Sequence, residues 1–183
     1  PDLYQGTELW NLSLVDPDNR RPVDYSLRHE LLREIRKDAQ KDPLDLLLRL
    51  WEEKEDGRIK LYITYQALQA RLEREKLFKQ GSYTPLQVKG PFERHVMAFA
   101  RNNGASWALC LVPRFPTGLI SPAKLPVGKS VWQDTQVLLP ESAPHEWKNR
   151  LTAQDLKTRQ NKLLLSDIFS HFPLALLTNK EGY

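Results

Sequence analysis

The sequence changes character at Gly81, and that change restricts the chain to an α+β architecture. Between the opening 25 residues and Gly81, apolar residues recur at helical spacing. Beyond it, Gly and Pro recur at short intervals between runs rich in Val, Leu, Phe and Trp, the pattern of antiparallel strands joined by turns. With 183 residues and 40% hydrophobic content, the chain is long enough for one good core or two small lobes. The expected division is residues 1–80 and residues 81–183.

The first segment predicts three helices. Asp24 is placed to cap a helix in which Leu27, Leu31, Leu32 and Ile35 form one apolar face, with Arg28, Glu30, Arg33 and Glu34 pointing outward. Asp42 and Pro43 form an N-cap and first-turn pair for the next, whose Leu44, Leu47, Leu48 and Trp51 are read as core before EKEDG ends it at Gly57. A third helix is expected over residues 59–78. Ile59, Ile63, Ala67, Ala70 and Leu77 lie near one side, although Leu61, Tyr62 and Tyr65 blur the period.

In the second segment, strands are expected over residues 85–89, 95–101, 106–113, 131–139, 147–151 and 162–166, with a last apolar run at 174–178. Asn102, Asn103 and Gly104 supply a hairpin turn, because Asn and Gly tolerate positive φ. Pro116, Gly118, Pro122, Pro126 and Gly128 make residues 113–131 an irregular connection between the edges of two sheets. Trp107, Trp132 and Trp147 sit inside apolar runs and are read as core rather than as a sugar-stacking platform.

Charge and cysteine usage exclude several functions. The 27 Lys and Arg and 23 Asp and Glu are interspersed without a basic stripe, which argues against a nucleic-acid surface. No apolar run approaches the roughly 20 residues needed to cross a membrane. One cysteine, Cys110, excludes an intrachain disulfide and fits a reducing, cytoplasmic setting; inside WALCLV it reads as a buried thiol rather than a nucleophile. His29, His95, His145 and His171 lack zinc-ligand spacing, and an EF-hand starting at Asp16 would have Arg21 and Leu27 where Gly and Glu are required. These spacings indicate neither a zinc nor a calcium site. GxSxG and glycine-rich phosphate loops are absent from the sequence.

The first 25 residues, PDLYQGTELWNLSLVDPDNRRPVDY, follow no helical or strand period. Tyr4, Gln5, Glu8, Trp10, Asp16, Asp18, Asn19, Arg20, Arg21 and Tyr25 supply the bidentate donors and acceptors and the rings that suit a polyhydroxylated ligand. The arginines beside Asp16 and Asp18 predict carboxylate–guanidinium pairing rather than cation binding.

This stretch carries a family resemblance. PDLYQGTELW resembles the segment after the eighth barrel strand of α-amylase-type glycoside hydrolases, and VDPDNRRPVDY resembles the arginine-proline-x-aromatic loop that follows it. WQDTQVLLP and FPLALL extend the likeness through the chain, toward a branch of glucosylmutases. The resemblance implies that a chain starting at Pro1 is the C-terminal piece of a longer enzyme. Its first segment would be the end of a (β/α)8 barrel, followed by an antiparallel, β-sandwich-like C-terminal domain.

The implied reaction is intramolecular transglucosylation, in which the reducing-end α-1,4 linkage of a maltooligosaccharide becomes α,α-1,1 by a retaining route that is expected to need no metal or organic cofactor. The family's catalytic carboxylates follow barrel strands four, five and seven, upstream of Pro1, so no residue here is expected to be catalytic and the isolated chain is expected to be inactive. By motif position, Tyr4, Gln5, Gly6 and Glu8 match the strand-eight segment, and Arg20, Pro22 and Tyr25 match the following loop. With Asp18 and Asn19 these residues are expected to wall the sugar site, Glu8 orienting Arg20 or another loop group. The expected partners are the maltooligosaccharide and the upstream barrel. The chain itself is expected to play a structural part, stabilising that barrel, and a non-catalytic carbohydrate-binding module is the alternative.

Overall fold

The computed structural model describes residues 4–121 and 124–180. The fold is α+β with antiparallel sheets, and the chain divides into two compact units, residues 1–68 and 69–183, the division falling within a helix.

The first unit holds α1 (Tyr25–Ala39), α2 (Pro43–Glu52), which packs on α1, and most of α3 (Arg58–Glu73). The expected start signals operate. Asp24 accepts the Leu27 N–H at 2.9 Å, and Asp42 accepts those of Leu44 and Asp45 at 3.0 Å, with Pro43 in the first turn. Each cap contributes about 1 kcal/mol. After α2 a short 3-10 turn, Lys54–Asp56, ends at Gly57 in the left-handed region.

The buried faces match the expected ones in part: Ile35, Leu47, Ile59, Ala70 and Leu77 are buried as expected, and other positions differ. In α2 it is Leu46, Leu47 and Leu50 that are buried, while Leu48 is exposed. Four leucines in five positions leave the phase of an amphipathic helix open, and the charged side fixes it: Asp45 pairs with Arg49 at 3.0 Å, and Arg49 reaches Asp38 of α1 at 3.1 Å. In α3, Tyr62 and Leu61 are buried and Ala67 is exposed. Burial pushes the Tyr62 hydroxyl up to about 12. The third helix is also interrupted at Arg74 and resumes as α4 (Glu75–Gln80). At the break the Arg74 guanidinium donates to Ser106 Oγ, Asn179 Oδ1 and Asn179 O at 3.1, 3.1 and 2.8 Å.

The second unit contains β1 (Ser82–Pro85), β2 (Val88–Lys89), β3 (Val96–Asn103), β4 (Ser106–Pro113), α5 (Lys129–Trp132), β5 (Gln136–Leu138), β6 (Glu146–Asn149), β7 (Asp155–Lys157), β8 (Lys162–Leu164), α6 (Leu165–Ile168) and β9 (Ala175–Asn179). One sheet has the order β1-β3-β4-β9-β6-β7, the other β2-β5-β8, and every pairing is antiparallel. The two sheets share one core. Leu109, Leu111, Trp147 and Leu177 come from the larger sheet, Val137 and Leu163 from the smaller, and Trp132, Leu165, Ile168 and Phe169 from α5, α6 and the residue after α6. Trp107 is buried in the same cluster, so all three tryptophans are core and none presents a stacking platform.

The hairpin turns as expected. Asn103 pairs with Ser106 across Gly104, whose φ is +60°, and Asn102 Nδ2 donates to Gly104 O at 2.8 Å. The expected strand at 85–89 is instead two, β1 in the large sheet and β2 in the small one. The chain crosses between sheets where Leu86 N donates to Ala98 O and Gln87 O accepts from Leu138 N, both 2.9 Å. The expected strand at 131–139 begins as α5, and β5 follows only after Gln133 turns at φ +49°. The connection after Pro113 leaves β4, which lies between β3 and β9, and leads through α5 to the middle strand of the small sheet. It therefore links strands interior to both sheets, not their edges. Strand β7 has no counterpart among the expected elements, because a single inward Leu156 between Asp155 and Lys157 gives no readable alternation. No described helix is long and apolar enough to cross a membrane.

Candidate functional site

The candidate site is the opening stretch, residues 4–25. Its backbone is held by local turns and by two close approaches. Thr7 N and Thr7 Oγ1 both bond to Tyr4 O, at 3.1 and 2.6 Å. A β-carbon on Gly6 would stand 2.8 Å from Val23 Cγ2, so the first motif lies directly against the second. Farther along, Gly57 approaches the backbone of Leu9 and Trp10. The Trp10 indole N–H donates to Lys54 O at 2.5 Å, and the Lys60 ammonium sits 5.5 Å from the indole centroid while donating to Leu9 O at 3.3 Å.

Several candidate residues meet. Tyr25 Oη donates to Gln5 Oε1 at 2.8 Å, joining the first motif to the aromatic of the second. Glu8 Oε2 accepts from Gly6 N at 3.0 Å and from Arg28 Nε at 2.9 Å. Arg28 also donates to Gly6 O at 2.7 Å and to Asp24 O at 3.0 Å. Burial pushes the Glu8 carboxyl upward, but bonds from its own N–H, from Arg28 and from Gly6, together with the Arg28 charge, outweigh it and hold the pKa below the ordinary value of 4.5. Glu8 is therefore a carboxylate at neutral pH. Its guanidinium partner is Arg28, not Arg20.

Arg20 is held elsewhere. Its Nε and Nη2 donate to the two oxygens of Asp16 at 2.6 and 2.7 Å, a bidentate pair, while Arg21 reaches Asp18 at 3.3 Å. Both pairings match the expected carboxylate–guanidinium chemistry, on a short 3-10 turn at Asp18–Arg20. The side chain of Asn19 lies outside the described residues. Among the described residues no hydrogen bond joins the Asp16–Arg20 pair to the Glu8–Arg28 cluster. Tyr4 and Tyr25 keep about half their surface open to solvent.

Sequence reading missed Arg28, which it placed on the outer face of α1. A signal was available: a cation one turn past the N-cap sits near the positive end of the helix dipole, a position that disfavours it unless a carboxylate compensates. Cys110 is half-buried, and burial pushes its thiol up to about 11, which fits an inert side chain.

No family model matches the chain. Two Mycobacterium tuberculosis proteins, from strains CDC 1551 / Oshkosh and ATCC 25618 / H37Rv, that carry the name maltooligosyl trehalose synthase are each 31% identical to it over 182 residues, covering all of this chain. A solved structure of a variant maltooligosyltrehalose synthase from Arthrobacter ramosus superposes with a TM-score of 0.73 at 31% identity, over 98% of this chain. Over its whole length the chain is similar to the C-terminal part of these maltooligosyl trehalose synthases. It spans 19% of the length of the mycobacterial synthases and 20% of the solved one. The α+β fold with antiparallel sheets is thus that of a synthase C-terminal region.

Proposed function

We propose that the chain is the C-terminal part of an enzyme that converts the reducing-end α-1,4 linkage of maltooligosaccharides to α,α-1,1 by intramolecular transglucosylation, a step of trehalose formation. The observation that carries this reading is a likeness to synthases that extends over essentially the whole chain in both sequence and fold. Residues 1–80 form the end of the catalytic barrel and residues 81–183 the C-terminal domain. An apolar run supports the barrel assignment: Leu12, Leu14 and Val15 are 91%, 90% and 69% exposed, the surface expected where an upstream part of the enzyme packs. The single half-buried cysteine supports a reducing, cytoplasmic setting.

In this reading the chemistry belongs to carboxylates upstream, and the isolated chain is inactive. Its opening stretch walls the sugar site, with Tyr4, Gln5, Glu8, Asp18, Asn19, Arg20 and Tyr25 as the substrate-binding set. Burial of all three tryptophans of the second unit weighs against a separate carbohydrate-binding module.

Arg20 gives the sharpest test. Asp16 holds the guanidinium by two bonds yet leaves it exposed, so it is oriented before a sugar arrives. An exposed pair of this kind adds little to stability, at most about 1 kcal/mol. In the full-length enzyme, Arg20→Ala is expected to lower kcat/KM for maltooligosaccharide about tenfold while costing at most about 1 kcal/mol of folding stability. Steady-state kinetics with unchanged kcat and KM would exclude Arg20 from the site.

A further inference from the structure

Resting on the reading of the opening stretch as a wall of the sugar site, we propose that Arg28 is a positioning residue: it fixes the two motif loops in the arrangement that receives the sugar. The geometry sets it apart from every other arginine of the first unit. Its guanidinium binds three separate acceptors: the Glu8 carboxylate at 2.9 Å, Gly6 O at 2.7 Å and Asp24 O at 3.0 Å. Two of these belong to the strand-eight segment, 20 and 22 residues away in sequence. The third is the N-cap carbonyl, next to the chain that carries the second motif into α1. The side chain is only 16% exposed, whereas Arg20, Arg21 and Arg33 are all more than 70% exposed.

The bonds around it form a closed set. Glu8 returns to its own loop through Gly6 N, Tyr25 reaches Gln5 across the same gap, and Val23 leaves no room beside Gly6. Arg28 therefore holds the residues that present ligand-facing groups without itself facing the ligand. Lysine cannot replace it. A single ammonium at the end of a flexible stem cannot span three acceptors in the fixed fork that guanidinium offers. Loosening such a support by a fraction of an ångström is enough to weaken a binding constellation.

The test uses the full-length enzyme with Arg28→Ala, Arg28→Lys and, as a surface control on the same helix, Arg33→Ala. The readouts are the KM and kcat for maltooligosaccharide and the amide exchange of Gly6 and Thr7. The expected result is a KM raised about tenfold or more in Arg28→Ala, a smaller rise in Arg28→Lys, no change in Arg33→Ala, and faster exchange at the two amides. A merely structural role would lower kcat by reducing the folded fraction and leave KM unchanged, and that outcome overturns the proposal. Wild-type KM in both Arg28 variants also overturns it while leaving the proposed reaction intact. If Arg28→Ala does not fold, Arg28→Lys decides by the same KM criterion. A wild-type enzyme that converts no maltooligosaccharide overturns the functional reading and this proposal with it.

Discussion

Trp132→Ala is expected to destabilise the second unit by about 4 kcal/mol or more. The indole is fully buried, 5.2 Å from the Phe169 ring and 6.5 Å from that of Phe92, and its N–H donates to Pro126 O at 2.6 Å. Truncation removes the largest side chain of α5 from the core shared by the two sheets. The cavity and lost transfer free energy account for about 3–5 kcal/mol, and an unsatisfied buried carbonyl for about another 1–3. Domains of this size have about 5–15 kcal/mol in total, so the unit should retain only a small margin. Trp132→Phe keeps most of the packing but not the hydrogen bond, and should fall between. Urea unfolding reads both values as midpoint shifts. A loss below about 1 kcal/mol for Trp132→Ala would show that the core does not close around this ring.

The second large effect is at Gly57, where backbone conformation and close approach coincide. Its φ is +81°, and a β-carbon there would stand 2.7 Å from Trp10 N and 3.2 Å from Leu9 Cα. The left-handed conformation alone costs an alanine about 1–2 kcal/mol. Displacing the backbone of Leu9 and Trp10 adds to this, for an expected loss of about 3 kcal/mol in Gly57→Ala. Gly104 provides the comparison: its φ is +60°, but nothing lies within 4 Å of the added carbon, so Gly104→Ala should cost only the conformational part. Equal midpoint shifts for the two variants would mean that the approach of Gly57 to the opening stretch contributes nothing.

These two sites show what could be read from the sequence and what could not. Signals that act within a few residues were legible: Asp24 and Asp42 as caps, Pro43 in a first turn, Gly57 as a stop, and the Asn-Asn-Gly hairpin. The Asp16–Arg20 pair belongs with them, because its partners are four residues apart. Helical phase in α2 was not legible, since four leucines in five positions satisfy several faces and a pairing of Arg49 with α1 selects one. The crossing between sheets at Leu86 and Gln87 depends on which strand each backbone group finds, and alternation along a single strand carries no such information.

The candidate site divides in the same way. Its residue types and their clustering were evident in the first 25 residues. The assignment of Glu8 to Arg28 was not, because the two are 20 residues apart and are joined only when α1 packs against residues 6–8. An amphipathic reading sees Arg28 as one more charge opposite the leucines.

The central claim is that this chain completes a maltooligosyl trehalose synthase without carrying its catalytic groups. Its most direct test is to incubate maltooligosaccharide with the full-length enzyme and, in parallel, with residues 1–183 alone, and to follow reducing ends and product linkage. The account predicts that reducing ends disappear without chain shortening, that the product ends in α,α-1,1-linked glucose, and that residues 1–183 alone change nothing. Hydrolysis to shorter reducing sugars by the full-length enzyme, or conversion by residues 1–183 alone, would contradict it.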